Sequence, residues 1–388
     1  MKKYFTKYVI TFIIITILST LFVFIGANAF HTQLLTKSDQ FYRAKVIALE
    51  DVKVNEISLD DGASSVSSKS VYFKAQFTSG PYKGKEVTML QYIDYMYAVQ
   101  SKTIEKGDSI VVSYVSDPSS TQETWMFIDY NRINYIIIIC LVFFGLIIFI
   151  GRSKGLATIV SLIFTGAGVF LVYIPAILSG QNIYLATIVI SIFIILMSQT
   201  FINGVNIKTL CAILGNMGGV AVAGLLALFT NHLLGITGVV DEDCLFLMYV
   251  NSEHPIDLRA IVWGSIVIGS LGAVMDVALS IASAMNELSE TMGEKSAKRM
   301  IQSGMNIGKD AIGTMTNTLI LAYIGGSLAT VLLLVASNKD PLYLFNMEMV
   351  IVEVLQGIIG STGILFAVPV TVVIAAYLYN KPKNHEIR

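Results

Sequence analysis

Charged side chains are scarce in this chain. Only 14% of its 388 residues are Asp, Glu, Lys or Arg, against about a quarter in an ordinary soluble domain. That scarcity excludes a typical soluble globule. With 54% hydrophobic residues and a mean hydropathy of +0.69, concentrated in long runs, the chain reads as a multi-spanning membrane protein. Cysteine is nearly missing too. Three cysteines exclude a disulfide framework; Cys140 and Cys211 lie in apolar runs and Cys244 in a loop, which reads as buried, inert thiols with no metal site. Also lacking are a phosphate-cradling glycine loop, a P-loop lysine, an HExxH helix and a nucleophile elbow. The sequence therefore offers no ATP engine, and the expectation is a non-enzymatic protein without cofactor, metal or nucleic-acid partner.

What is present falls into three parts. Residues 1–29 begin MKKYFTK and continue as an apolar run, so basic residues precede a first crossing and place the N-terminus in the cytoplasm. ANA at 27–29 resembles a cleavage site, but the run is longer than a usual signal core and favours an uncleaved first span. Either reading sends the next segment outside. Residues 30–132 alternate with period two in FYRAKVIALEDV, SVYFKAQFT, KEVTMLQYI, DSIVVSYVS and TWMFIDY, with SGPYKGKE and EKGD as turns. Five short strands predict a small extracytoplasmic β-barrel or sandwich. It holds one histidine, His31, and no convergent acid–base set, so it reads as a binding, sensing or capping module.

Residues 133–388 form the third part. Spans are expected near 133–150, 156–178, 183–202, 209–234, 260–284, 311–336 and 347–379, each of the ~20 residues a crossing needs. With the first, the fold class is an all-α polytopic bundle of about eight transmembrane helices with an inserted all-β domain. The loop charges agree. Arg152 and Lys154, Lys208, Lys295, Lys298, Arg299 and Lys309, and Lys381, Lys383 and Arg388 fall on one side; only Arg259 and Lys339 fall on the other. This bias places both termini in the cytoplasm and 30–132 outside. Residues 286–309 read as a cytoplasmic amphipathic helix along the headgroups. Gly357, Gly360, Gly363 and Pro369 suggest that 347–379 is either one kinked helix or a re-entrant piece followed by a span.

Several polar groups lie at membrane depth. Ser265, Gly269, Gly272, Asp276, Ser280, Ser283 and Glu287 recur every three or four residues and make one helical stripe. Its small members, Gly269, Gly272, Ser280 and Ser283, suit close helix packing. Asp276 does not serve packing: a mid-span carboxylate costs about 2.5–3.5 kcal/mol and must face protein or water. It is read as handling an ion, a proton or a substrate, with a buried structural hydrogen bond as the alternative. Glu287 reaches the cytoplasmic interface. In GKDAIGTMTNTLILAYIGG, Asp310, Gly313, Thr314 and Asn317 share a face, with Thr316, Thr318 and Tyr323 nearby. Asp310 either caps that helix or lines a wet cavity with its neighbours. Glu348 is explained by solvation, whereas Glu353 and Gln356 lie deeper, before the glycine-rich stretch, where a broken helix could bind a cation. Asp276 and Asp310 could pair as aspartyl-protease carboxylates do, but their expected depths differ. GNMGG at 215–219 fits a small-xxx-small contact.

GAVMDVALSIASAMNEL, GKDAIGTMTNTLILAYIG, GVNIKTLCAILG and GSTGILFAVPVT, together with SGPYKGKEV, KGDSIVV and DYNR in the outer module, resemble the YibE/F family of bacterial multi-pass membrane proteins. The resemblance is to the longer, E-type member, and implies a bacterial cell-membrane location, a lipid environment and a second YibE/F-type subunit or a second copy as partner. The second motif usually has Arg before its Asp, where this chain has Lys309. The resemblance adds no substrate. The expected function is a secondary transporter or channel-like permease, with Asp276, Asp310 and Glu353 lining an ion path and Asn317, Gln356 and Thr314 assisting. The alternative is a non-transporting scaffold or sensor that assembles with a membrane partner through the β-domain and the small-residue faces.

Overall fold

The computed structural model describes residues 2–30, 41–58, 65–94, 102–116, 123–240, 242–250, 255–292, 296–337 and 340–380. His31, Lys295, Lys339, Lys381, Lys383 and Arg388, used above, lie outside the described residues. The chain divides into two compact units, Gln33–Leu146 and Met1–Thr32 with Ile147–Arg388.

The first unit holds strands β1 (Phe41–Ser58), β2 (Ser65–Phe77), β3 (Glu86–Asp94), β4 (Ser109–Ser116) and β5 (Glu123–Tyr130). All five expected strands form. They close a barrel in the order β1-β2-β3-β5-β4, in which β3 and β5 run parallel and the other pairs antiparallel. This is a Greek-key barrel of the OB type. The period-two pattern is its cause: Ala44 and Val46, Phe73, Ala75 and Phe77, Met89, and Ile110 and Val112 all turn inward and are buried. The rings of Tyr42, Phe77, Tyr82 and Tyr114 surround Trp125 at centroid distances of 4.8–5.6 Å. Buried Gln91 holds the segment before β4, donating to the Lys102 carbonyl and accepting from the Ile104 N–H.

The helices are α1 (Lys2–Ala29), α2 (Ile133–Gly168), a π turn (Val169–Tyr173), α3 (Ile174–Leu178), α4 (Ile183–Asn203), α5 (Ile207–Leu233), α6 (Glu242–Val250), α7 (Leu258–Thr291), α8 (Ala297–Gly326), α9 (Leu328–Ala336), α10 (Pro341–Asn346) and α11 (Glu348–Asn380). Asn182, Asn206 and Asp257 cap α4, α5 and α7 with side-chain hydrogen bonds to the first-turn N–H groups. The π turn precedes Pro175, whose missing N–H perturbs the ladder there.

Among the described residues, six helices are long and apolar enough to cross a membrane, or seven if the bent pair α8–α9 is one span. The expected count of eight is not confirmed. The expected spans at 133–150 and 156–178 fall in one 46-residue stretch, Ile133–Leu178, in which two helices meet across a kink at Arg152 (φ 49°, ψ −125°). The interruption is sharp. A straight helix separates residues eight apart by about 12 Å, yet a Cβ on Gly155 would strike the Ile147 carbonyl. The expected span at 311–336 is bent by 60° between α8 and α9. Residues 347–379 form one continuous helix with Pro369 inside it, so no re-entrant piece occurs. The amphipathic segment 286–309 is not a separate surface helix: it is split between the end of α7 and the start of α8, where Met300 is fully buried. Of the three cysteines only Cys211 is buried; Cys140 is exposed.

Helices α5, α7 and α11 pack on one another and carry the core of their unit, with α8 against α11 and α4 against α7. Their approach is set by glycine. A Cβ on Gly219 would lie 2.7 Å from the Gly363 carbonyl oxygen and 2.8 Å from both Ala367 and Val274. Gly215 similarly faces Thr371, and Gly360 faces Leu319 and Ser270. The GNMGG stretch is thus a close-contact surface. Trp263 adds a hydrogen bond from its indole N–H to the Gly224 carbonyl, 2.8 Å. At one end of α11, the Glu348 carboxylate accepts from Thr237 N–H (2.9 Å), the Thr237 hydroxyl (2.8 Å) and Gly238 N–H. At the other end, the Tyr379 hydroxyl donates to Asn286, 2.9 Å.

Gly219→Leu is expected to lower the thermal midpoint in detergent, with a cost on the order of 1–3 kcal/mol or more from overpacking. Gly84→Ala serves as a milder control, because it meets no atom within 4 Å, although its positive φ adds some strain. Equal midpoints for Gly219→Leu and the unaltered protein would contradict this packing.

Candidate functional site

Two polar regions emerge on the helices. The first is the α7 stripe. Ser265, Gly269, Gly272, Asp276, Ser280 and Glu287 are exposed and Ser283 half-buried, while Val274, Val277, Ala278 and Ile281 form the buried face. The stripe therefore points away from the packed core. Gly269 approaches the Tyr323 hydroxyl, but Gly272 meets nothing within 4 Å. Gly269 thus touches α8, whereas Gly272 and Ser280 are exposed, with open space beside Gly272 among the described residues.

Helix α8 runs antiparallel beside α7. Gly304 abuts Met285, Gly308 approaches Ile281, and Tyr323 approaches Gly269. Interpolating this register puts Asp276 at the level of Gly313 and Thr314, Asp310 near Ser280, and Asn317 near Gly272. Asp310, Gly313, Thr314 and Asn317 are exposed, on the side of α8 opposite buried Gly304, Gly308 and Leu319. The two faces run at matching depth. Asp310 lies well inside α8 and does not cap it, since α8 begins at Ala297, before the apolar run starts. The Thr314 and Thr318 hydroxyls bond back to the preceding turn. Neither the Asp276 nor the Asp310 carboxylate has a hydrogen bond among the described residues.

The second region lies at the α8–α9 bend. The Ser327 hydroxyl sits 2.6 Å from the Tyr323 carbonyl oxygen and 3.0 Å from Glu353 Oε2. One proton serves two acceptors, so Glu353 is only partly satisfied. Gln356 donates to the Ser265 hydroxyl at 3.3 Å, joining α11 to the start of the α7 stripe. Tyr323, Ser327 and Glu353 line a cleft of about 230 Å³ with apolar walls. Thus Ser265, Tyr323, Ser327, Glu353 and Gln356 gather from three helices, while Asp276 and Asp310 do not line this cleft. Glu287 stands apart, near the far end of α7.

Sequence reasoning named Glu353, Gln356 and Tyr323 but not Ser327. The Gly325–Gly326 pair before it was the available signal for a break. It also missed Asn216 on α5, which is fully buried with neither amide atom hydrogen-bonded among the described residues. No group of three or more His, Cys, Asp or Glu that could hold a metal occurs among the described residues.

A family model described as YibE/F-like protein matches residues 139–381, more than half of the chain, including all of α4, α5, α7, α8, α9 and α11. The chain belongs to the YibE/F-like family. Both polar regions of this YibE/F-like protein lie within the match. The β-barrel, which the resemblance drawn from sequence had included, precedes it. No curated protein and no solved structure matches the chain.

Asn216→Leu in the YibE/F-like region is expected to leave the thermal midpoint unchanged or raise it, by on the order of 1–3 kcal/mol. A buried amide without partners costs about that much, and the replacement removes it at similar volume. A clear fall in the midpoint would show that the amide is satisfied.

Proposed function

We propose that this multi-pass membrane protein is a secondary transporter or channel-like permease for a small ion or solute in a bacterial cell membrane. The observation that carries the reading is Asp276: a carboxylate in the middle of an apolar helix, on an open polar stripe, without a partner among the described residues. Ionisable groups at such depth are expensive and are placed for ion or substrate handling. Asp310, Thr314 and Asn317 extend the polar surface at the same level, and Glu353 with Gln356 marks its other end. Glu287 stands at the mouth on the cytoplasmic side. The proposal includes no covalent chemistry, cofactor or nucleic acid.

The proposed orientation has both termini in the cytoplasm and residues 30–132 outside. It needs an even number of crossings; with α8–α9 taken as a seventh span, the interruption at Arg152 supplies the eighth as a cytoplasmic reversal between two spans. Arg152 and Lys154 at that point suit the positive-inside bias.

A second reading is supported by the open space beside Gly272. The outward stripe would then be an assembly face for a second copy or another YibE/F-type subunit, with the β-barrel as a sensing module.

In proteoliposomes, Asp276→Asn is expected to reduce ion or solute flux at least tenfold, with Glu50→Gln in the barrel unchanged. Flux insensitive to Asp276→Asn under every ion gradient tried would remove the permease reading. Co-purification of a membrane partner lost on Gly272→Leu, but kept on Asp276→Asn, would favour assembly.

A further inference from the structure

The cleft at the α8–α9 bend has a composition that restricts what can enter it. Its walls are aliphatic, with Val331 and Leu334 from α9 facing Val354 from α11. Its polar groups are few: Tyr323, Ser327, Thr330 and one carboxylate, Glu353. No Lys, Arg or His lines it, so Glu353 has no cationic partner there. Its one hydrogen-bond donor, Ser327, is shared with the Tyr323 carbonyl. The Tyr323 hydroxyl is buried and without a partner among the described residues.

We infer that this cleft binds a small organic ammonium ion, with its cationic end at Glu353 and Tyr323 and its apolar body between α9 and α11. The argument is charge complementarity in an apolar setting. A pocket with apolar walls and one or two placed polar groups selects an amphipathic ligand. Tyr323 and Glu353 both line the cleft, and an aromatic ring near a carboxylate suits an alkylated ammonium through cation–π attraction. A hydrated metal ion would need several oxygen ligands, whereas this cleft offers one carboxylate. A zwitterionic lipid headgroup would bring a phosphate, for which the lining supplies no cation. At about 230 Å³ the cleft holds one small molecule.

The inference names a ligand class for one end of the polar surface in the permease reading, but equilibrium binding tests it without flux. The probe is radiolabelled benzyltrimethylammonium, dialysed against the full-length protein in neutral detergent. Saturable binding near one per chain is expected. Glu353→Gln should weaken it at least tenfold, and Val331→Phe should abolish it by filling the cleft while leaving the carboxylate in place. Glu50→Gln in the barrel should bind as the unaltered protein does. Each variant is first shown to elute as a single folded species. No saturable binding overturns the inference, as does equal affinity in Glu353→Gln. Equal competition by the uncharged isostere neopentylbenzene also overturns it, because the cleft would then be a hydrocarbon groove. Binding as expected with Asp276-independent flux supports this site and removes the permease reading; the reverse pair of results does the opposite.

Discussion

The helical unit depends on how closely α5 and α11 approach. Gly219 sits against the Gly363 carbonyl, with Val274 of α7 at the same point. Hydrocarbon provides no driving force between helices, so in a membrane association rests on van der Waals contact and occasional hydrogen bonds. Glycine brings three backbones together there. α7 is then held by α5 and α11 along its aliphatic face, and its polar face has nowhere to go but outward. The orientation of Asp276 thus follows from packing on the opposite side of the same helix.

That constraint separates the polar residues into two populations. Asn216, Gln199 and Thr371 lie in the packed interior. Asp276, Asp310 and Asn317 lie on surfaces that stay exposed among the described residues. Glu353 belongs to neither group, because the bend at Ser327 leaves a cleft beside it. Lipid cannot serve an exposed carboxylate, so water, an ion or another polypeptide must meet the α7 stripe. The permease and assembly readings differ only in which of these does so.

Much of this architecture was legible in the sequence. Strict alternation gave all five strands, because a small barrel has one wet and one dry face. The α7 stripe was legible as a stripe, but its direction was not. Periodicity shows which residues share a face, while the neighbouring helices decide what that face meets. Asp310 was misread as a possible cap because 297–309 is too polar to look like the start of a span; the helix nevertheless begins there, with Met300, Gly304 and Gly308 turned inward. The Arg152 interruption coincided with an expected loop, and Gly151 directly before it was the local signal for a break. The family match covered the spans that follow the barrel, from residue 139 on, and left α1 and the barrel outside.

The ends of α11 have a mechanical consequence. The Glu348 carboxylate fastens one end to the 237–238 loop, and Tyr379 fastens the other to α7. A rod pinned at both ends neither slides nor swings freely against its supports. The short lever α9 has no such fastening among the described side chains, and its pivot is the residue whose hydroxyl touches Glu353. Motion that widens the cleft therefore falls to α9, and a ligand that draws on Glu353 competes for the proton at the pivot.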